Sequence, residues 1–298
     1  MRFCIKQESR IGRREVNQDR ACWLATEDAV LMVVADGMGG HLHGEVAAQL
    51  AVDTLRESFR RLARPRLPRP GEFLATTMRQ AHANILRHAA ACRIPEHSAP
   101  RTTCIACVVQ SGVATWAHAG DSRLYLVHGS DQRDRRVMRT RDHTVVQRML
   151  DEGMITNEQA AHHPMRNRVF SCLGGSVDPT VEVSEPVCLS DGDLIALCTD
   201  GAWSPLGDRL PTELAQAPLT STVPHLLDAA ECAAGDEADN LTLIAMRWEA
   251  PEPDQDTLRE PVNSDDSAAL QVLLDEDIER AVADIRSRLP HIANGAAT

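Results

Sequence analysis

A chain of 298 residues with 43% hydrophobic and 25% charged side chains has the composition of a globular protein and is long enough for a substantial core. It contains no run of about eighteen apolar residues, which excludes a membrane-spanning helix, and its polar start offers no secretory leader. The net charge of −12 makes nucleic acid a poor partner, because phosphate backbones attract basic surfaces. Nine cysteines, an odd number, fit free thiols in a reducing compartment. We therefore expect a cytoplasmic protein that binds neither membrane nor nucleic acid.

Short apolar runs bounded by turn residues recur along the chain and predict strands. Each run is rich in β-branched side chains; they cover residues 29–35, 103–109, 114–119, 123–127, 194–198 and 241–248. Neighbouring runs lack the regular crossover helices that a parallel sheet needs. The pattern favours an antiparallel α+β protein built in layers.

Two longer segments have the spacing of amphipathic helices. They cover residues 44–62 and 72–91, and the proline-rich stretch 64–71 between them predicts an exposed loop joining antiparallel helices. A mixed region follows the central strands at about residues 142–175.

The C-terminal end differs in composition from the rest. Residues 250–298 carry 11 acidic and four basic side chains. The acidic, proline-containing stretch 250–266 predicts a linker, and apolar residues every three or four positions after it predict an amphipathic helix within 267–298. That helix could dock on the main domain, pair with a partner, or fold only on binding.

One pair of cysteines, Cys104 and Cys107, has C-x-x-C spacing within a strand-like run. A redox or zinc role is one interpretation. The other interpretation is that both residues are thiols buried in the core. This second interpretation is favoured, because the sequence has no second C-x-x-C to complete a four-thiolate zinc site.

Aspartates stand at the ends of several apolar runs. They are Asp19, Asp36, Asp121, Asp200 and Asp239. A carboxylate at a strand end can point into a shared cleft, and carboxylates suit hard cations such as Mg²⁺ or Mn²⁺. Each Asp-Gly pair alone is more typical of a tight turn, so only the joint pattern indicates a carboxylate metal site.

The motifs around these aspartates occur in one order and resemble those of bacterial PPM or PP2C-type metal-dependent serine/threonine protein phosphatases. Seven segments, within about residues 1–248, carry the resemblance: Arg14 to Asp19, Val34 to His41, Gly44-Glu45, Ala119 to Arg123, Arg141 to Thr144, Cys198 to Gly201 and Asp239 to Thr242. One such motif would be a weak signal, whereas seven in sequence are specific.

The resemblance implies a fold and a domain division. The fold is a four-layer α-β-β-α sandwich of two antiparallel sheets flanked by helices. The phosphatase domain would cover residues 1–249, with a flap near the cleft at about 142–175. Cationic residues of the flap, including Arg166 and Arg168, could then help to recruit phosphopeptides; a solvated loop is an equally good interpretation of them.

The resemblance also implies the metal ligands. Two Mn²⁺ or Mg²⁺ ions roughly 4 Å apart would activate a bridging water for in-line attack on phosphorus. By motif match, Asp36 bridges both ions and Gly37 offers its backbone carbonyl. Asp200 and Asp239 bind the first ion, Asp19 reaches the cluster through water, and Asp121 helps to hold a third ion.

Arg14 matches the phosphate-binding arginine of the family, and its guanidinium fork suits two phosphate oxygens. The alternative for Arg14 is a solvated surface residue. Met38 stands where many eukaryotic members have a histidine proposed as the leaving-group acid, and that role is not transferred to His41, so the general acid is unassigned.

The resemblance implies an enzyme that hydrolyses phosphoserine and phosphothreonine in proteins and reverses a cognate serine/threonine kinase. Two alternatives stay open. One is a catalytically weak, phosphoprotein-binding module, against which the retained aspartates argue. The other is a dedicated phosphatase of an anti-sigma-factor pathway. The acidic tail could restrict access or recruit a partner.

Overall fold

The computed structural model of the protein describes residues 1–38, 43–129, 135–161 and 163–250. Its strands are β1 (Arg2–Arg10), β2 (Arg20–Ala25), β3 (Ala29–Ala35), β4 (Gly37–Met38), β5 (Arg101–Thr102), β6 (Cys104–Gln110), β7 (Val113–Ala119), β8 (Arg123–His128), β9 (Arg136–Arg139), β10 (Glu182–Val183), β11 (Val187–Cys188), β12 (Leu194–Cys198) and β13 (Leu241–Glu249). Its α-helices are α1 (Gly44–Leu62), α2 (Pro70–Ala91), α3 (Val145–Asp151), α4 (Asn157–Ala161), α5 (Asp200–Leu206), α6 (Arg209–Leu214) and α7 (Leu219–Ala234).

Two antiparallel sheets form the centre of the fold. The first has the strand order β1-β13-β12-β8-β9, and the second has the order β10-β7-β6-β3-β2, with β11 also paired to β7. A short ladder between β4 and β5 places Gly37 opposite Thr102 and Met38 opposite Arg101. The ladder begins two residues after the end of β3. The turn at Asp36 is therefore flanked by a paired strand on each side, β3 before it and β4 after it.

The core between the sheets is built from alternate residues of the central strands. Val30, Met32 and Val34 of β3 pack against residues of the other sheet, including Ile195 and Ile244. The intervening residues of β3 belong to a different cluster. Because β3 is buried on both faces, its sequence is apolar throughout rather than alternating.

Helices cover the outer face of each sheet. The helices α1 and α2 pack on the second sheet, where Leu55, Phe59 and Met78 are fully or almost fully buried. The helices α5, α6 and α7 pack on the first sheet through Leu210, Leu226 and other leucines. The α-β-β-α arrangement implied by the resemblance is therefore confirmed.

Element boundaries agree closely with the sequence pattern in the core and less well at the edges. The predicted helix 44–62 is α1. The second helix begins at Pro70, two residues before its predicted start, because proline fits the first turn of a helix. The strand β1 was not predicted, since most of its residues are only half buried and it carries no clear alternation.

The two cysteines of the C-x-x-C lie on opposite faces of β6. Cys104 belongs to the cluster under α1 and α2, whereas Cys107 belongs to the core between the sheets. Burial raises the pKa of the Cys104 thiol to about 12. The two side chains therefore behave as core residues, and the redox or zinc interpretation has no geometric support.

Several predictions fall on residues that the structure does not describe. They are the linker beyond Ala250, the amphipathic helix within 267–298, and the side chains of His41 and His162. Among the described residues, no helix is long and apolar enough to cross a bilayer.

Candidate metal centre

The loops at one end of the two sheets enclose a cleft of about 660 Å³. Most of the predicted site residues line it, although they come from widely separated parts of the chain. The lining includes Arg14, Asp36, Gly37, Asp121, Asp200 and Asp239. Asp19 lies behind this lining and is only 3% exposed.

Backbone contacts hold Asp36 at the turn between β3 and β4. Its carbonyl oxygen accepts hydrogen bonds from the Thr103 N–H at 2.9 Å and from the Thr102 hydroxyl at 2.8 Å. A Cβ atom on Gly37 would lie 2.3 Å from the carbonyl oxygen of Gly44. Only glycine allows this approach, so the turn is pressed against the start of α1 and the Asp36 backbone is fixed.

Asp19 is held by one oxygen and leaves the other without a partner. Its Oδ2 accepts a hydrogen bond of 2.9 Å from the Thr199 hydroxyl, which itself accepts from the Thr242 N–H. The Asp19 Oδ1 is buried and has no hydrogen-bond partner. A buried carboxylate oxygen of this kind is costly unless a cation or ordered water satisfies it.

Asp200 and Asp239 come from the ends of two neighbouring strands. Asp200 is the first residue of α5, two residues after the end of β12, and Asp239 lies two residues before the start of β13. A Cβ on Gly201 would lie 2.1 Å from the Asn240 carbonyl oxygen, so α5 starts in close contact with the chain entering β13. This contact brings the two aspartates into one corner of the cleft.

Arg14 forms a two-pronged contact with Asp239. Its Nε and Nη2 donate to the two carboxylate oxygens at 2.8 and 2.7 Å. The Arg14 side chain is 57% exposed, so the guanidinium reaches the cleft from the solvent side. The Arg14 fork is thus placed beside the acidic cluster in the orientation that suits a planar anion.

The acidic side chains in the cleft disfavour one another's charge. Burial, with repulsion from neighbouring aspartates, raises the pKa of Asp19 to about 7 and that of Asp121 to about 8. The same causes raise the pKa of Asp36 well above its ordinary value and also raise that of Asp200. Close packing of these carboxylates therefore carries a free-energy cost that bound cations would offset.

A buried ion pair supports the Asp121 turn. Arg123 donates to both oxygens of Asp142 at 2.9 and 2.7 Å, and its guanidinium lies 3.3 Å from the centre of the Trp203 ring. The Trp203 indole N–H donates to the Asp121 carbonyl oxygen at 3.0 Å. Arg123, interpreted from sequence as a strand residue, therefore links α5, the Asp121 turn and the start of the mixed region.

A second cluster of possible ligands lies behind the same turn. One ligand atom each from His118, His143 and Glu182 lie within 4.8 Å of one another. The Nδ1 of His143 accepts from the Gly120 N–H at 3.3 Å, which places its proton on Nε2, facing Glu182. In that tautomer His143 is a hydrogen-bond donor rather than a ligand, so the cluster braces the turn.

The donor set of the cleft fits divalent cations with a preference for oxygen. The aspartates around the cleft offer carboxylate oxygens, Gly37 offers a carbonyl, and the orphaned Asp19 oxygen points to a missing cationic or water partner. No histidine or cysteine lines this cleft among the described residues. Mg²⁺ and Mn²⁺ are the ions that such a set favours.

The sequence did not reveal the residues that position the predicted ligands. Asn240 accepts from the Gln18 N–H at 2.8 Å and donates to the carbonyls of Ile11 and Val16, so it ties the Arg14 loop to β13. Thr199 holds Asp19. Asn240 and Thr199 each stand next to a predicted ligand in the sequence, and this adjacency was the only indication of their roles.

The fold and this cleft define a class: α-β-β-α proteins with a carboxylate centre suited to divalent cations. A family model described as protein phosphatase 2C matches residues 6–240. The chain is 34% identical to the serine/threonine protein phosphatase PstP of Mycobacterium tuberculosis over 219 residues, which are 72% of this chain and 40% of PstP. The chain therefore belongs to the protein phosphatase 2C family.

Comparison with solved structures also finds protein phosphatases of this kind. The crystal structure of the M. tuberculosis phosphatase PstP/Ppp superposes with a TM-score of 0.69 at 29% identity, covering 83% of this chain and 99% of that one. A PstP catalytic domain in complex with two manganese ions matches with a TM-score of 0.68 at 27% identity, covering 83% and 99%. The match therefore spans about two fifths of full-length PstP and nearly all of the crystallised domains.

Proposed function

We propose that the protein hydrolyses phosphoserine and phosphothreonine in proteins and that it requires Mn²⁺ or Mg²⁺. The observation that carries this proposal is that Arg14 and four aspartates line one cleft, with Asp19 buried behind them, in a member of the protein phosphatase 2C family. The manganese complex of a related catalytic domain supports the requirement for a divalent metal.

The aspartates would hold the ions. Asp36 would bridge two cations with help from the Gly37 carbonyl, Asp200 and Asp239 would bind the first, and Asp19 would act through water. Asp121, on its braced turn, would help to hold a third ion. When bound, the cations supply charge neutralisation and activation of a water molecule as the nucleophile.

Arg14 would bind the phosphate of the substrate. Its fork already holds a carboxylate, that of Asp239, and a phosphoryl group presents two oxygens of similar spacing. The exposure of Arg14 leaves it within reach of a phosphorylated side chain entering from solvent. The substrates would be the targets of a serine/threonine kinase.

The test is phosphate release from a phosphothreonine peptide by the chelated protein before and after Mn²⁺ is added back. We expect activity only with metal, and a loss of at least about a hundredfold in Asp239→Asn. Asp208→Asn is the matched control, because Asp208 is exposed and lies at the start of α6, away from the cleft. Metal-loaded protein that releases no phosphate from any phosphopeptide would contradict the proposal and favour a phosphoprotein-binding module.

A further inference from the structure

A larger cavity, of about 790 Å³, adjoins the metal cleft. Its walls are the chain between α2 and β6 (residues 92–101), the segment 167–172, and the residues Met38 and His43; we call it the side groove. Met38, Asn167 and Val169 line both the side groove and the metal cleft. A peptide leaving the cleft on this side would therefore enter the groove.

The side groove is cationic. Arg93, Arg101 and Arg168 line it together with two histidines, and no acidic residue of the described chain is part of its lining. This contrasts with the whole chain, which has 43 acidic and 31 basic residues. The contrast indicates a ligand of negative charge.

Within the described residues, the three arginines bind no other side chain. In the described part of the chain, none of their guanidinium groups makes an ion pair or a side-chain hydrogen bond, whereas Arg10, Arg14 and Arg123 all bind carboxylates. Unpaired guanidinium groups beside one another repel, and an anion between them removes that repulsion. Their donors are thus available to a ligand.

Arg101 lies next to the metal centre. Arg101 is paired with Met38 in the β4–β5 ladder, and Met38 directly follows Gly37 in the chain. Burial raises the pKa of the Cys172 thiol at the groove wall, Arg101 lowers it and Asp121 raises it again. The Cys172 thiol therefore lies within electrostatic reach of both Arg101 and Asp121.

We propose that the side groove binds a second anionic side chain of the substrate, phosphorylated or acidic, a few residues away from the phosphoresidue that is hydrolysed. This inference rests on the proposed phosphatase function and adds a substrate class to it. An extended peptide advances ~3.3 Å per residue, so a cavity of this size accepts a segment of only a few residues. The anion would lie between the forks of Arg93 and Arg101, and Ile94 and Pro95 would contact aliphatic parts of the peptide.

The experiment compares three phosphothreonine peptides that differ only in their flanks: neutral, glutamate-rich, or carrying a non-hydrolysable phosphonate analogue of phosphoserine. The enzymes are the Mn²⁺-loaded wild type, Arg93→Gln/Arg101→Gln, and a control of equal charge, Arg79→Gln/Arg136→Gln, whose residues are exposed and outside the groove. We expect wild type and control to prefer the anionic peptides by about tenfold in kcat/KM, through a lower KM.

The groove variant should lose that preference while cleaving the neutral peptide within about twofold of wild type, which also shows that it is folded. A larger gain in kcat/KM from the phosphonate than from glutamate would identify a phosphoryl group as the preferred ligand. Equal gains would show that the groove accepts either anion. Equal kcat/KM for all peptides in the wild type, or a preference retained in the groove variant, would overturn the proposal.

A binding measurement separates this inference from the phosphatase proposal. A fluorescent peptide with phosphonate analogues at both positions is titrated into wild type and groove variant, and its anisotropy is followed. We expect about tenfold weaker binding to the variant, whether or not the wild type hydrolyses any peptide. Equal binding would overturn the groove assignment even in an active phosphatase.

Discussion

The aspartates of the proposed metal centre lie close together in a buried cleft, which is unfavourable for the stability of the protein without cations. Asp36 is surrounded by other carboxylates, and its pKa is raised first by burial and then by repulsion from Asp19 and Asp200. The buried Oδ1 of Asp19, which has no hydrogen-bond partner, adds a further free-energy cost to the metal-free protein. The proposed metal site would therefore destabilise the metal-free protein, as is common where function and stability conflict.

Asp36→Asn should stabilise the metal-free protein. Removing one buried charge relieves the repulsion, and we expect the free energy of unfolding in chelator at pH 8 to rise by about 1–3 kcal/mol. Urea unfolding followed by circular dichroism measures this, with Asp208→Asn as the neutral control. A clear destabilisation by Asp36→Asn alone would show that the carboxylate is satisfied within the protein.

The metal-free protein should lose stability as the pH rises through the range 6.5–8.5. Folding raises the pKa of Asp19 from 3.8 to about 7 and that of Asp121 to about 8, so the folded state holds protons that the unfolded state has released. Stability therefore falls with rising pH until these carboxyls ionise, here by about 2–3 kcal/mol. The buried His82 and His118, whose pKa is lowered by burial, have already lost their protons in this range.

The measurement is the urea midpoint in chelator at four pH values, for wild type and Asp19→Asn/Asp121→Asn. The double variant should lose clearly less stability than wild type between pH 6.5 and 8.5, and the slope that is left comes from Asp36 and Asp200, whose pKa is also raised. An equal slope in both proteins would assign the pH dependence to other groups.

At the scale of elements, close backbone contacts set the position of the proposed ligands. The turn after β3 is clamped by Thr102 and Thr103, and its glycine meets the start of α1. On the other side, Gly201 brings α5 against the chain that enters β13. These contacts restrict the backbone at Asp36, Asp200 and Asp239, three of the proposed ligands.

Gly37→Ala should damage the centre without touching a side-chain ligand. The new Cβ would lie 2.3 Å from the Gly44 carbonyl oxygen, so α1 or the turn must move. We expect a loss of about 1–3 kcal/mol in stability and at least tenfold weaker Mn²⁺ binding by calorimetry.

The matched control is Gly71→Ala in the first turn of α2. There the nearest atom to the new Cβ is the end of the Val183 side chain, at 3.2 Å. This change should alter stability by less than about 1 kcal/mol and leave Mn²⁺ binding unchanged. Equal effects of the two substitutions would show that the approach of Gly37 to α1 does not position the metal ligands.

At the scale of the molecule, much of the fold was predictable because the buried strands and the long helices carry strong patterns. β3 and β12 match the predicted runs residue for residue, since both are apolar throughout. The half-buried β1 and the two-residue strands β10 and β11 were missed, because pairing with neighbours rather than local sequence defines them.

The site residues were predictable only through their motifs. Strand-terminal aspartates alone suggested a metal site, and the order of the seven segments suggested which residues would share it. No local pattern could show that Arg123 binds Asp142 or that Thr199 holds Asp19, since these pairs are 19 and 180 residues apart. The side groove likewise depends on segments that meet only in the folded chain.

The most direct test of the account is the number of Mn²⁺ ions bound by the chelated protein in a calorimetric titration, for wild type and Asp36→Asn. A centre in which Asp36 bridges two cations predicts at least two ions in the wild type and loss of tight binding in the variant. A wild type that binds no Mn²⁺, or an Asp36→Asn protein that binds it with unchanged affinity and number, would contradict the assignment of the cleft as a two-metal centre.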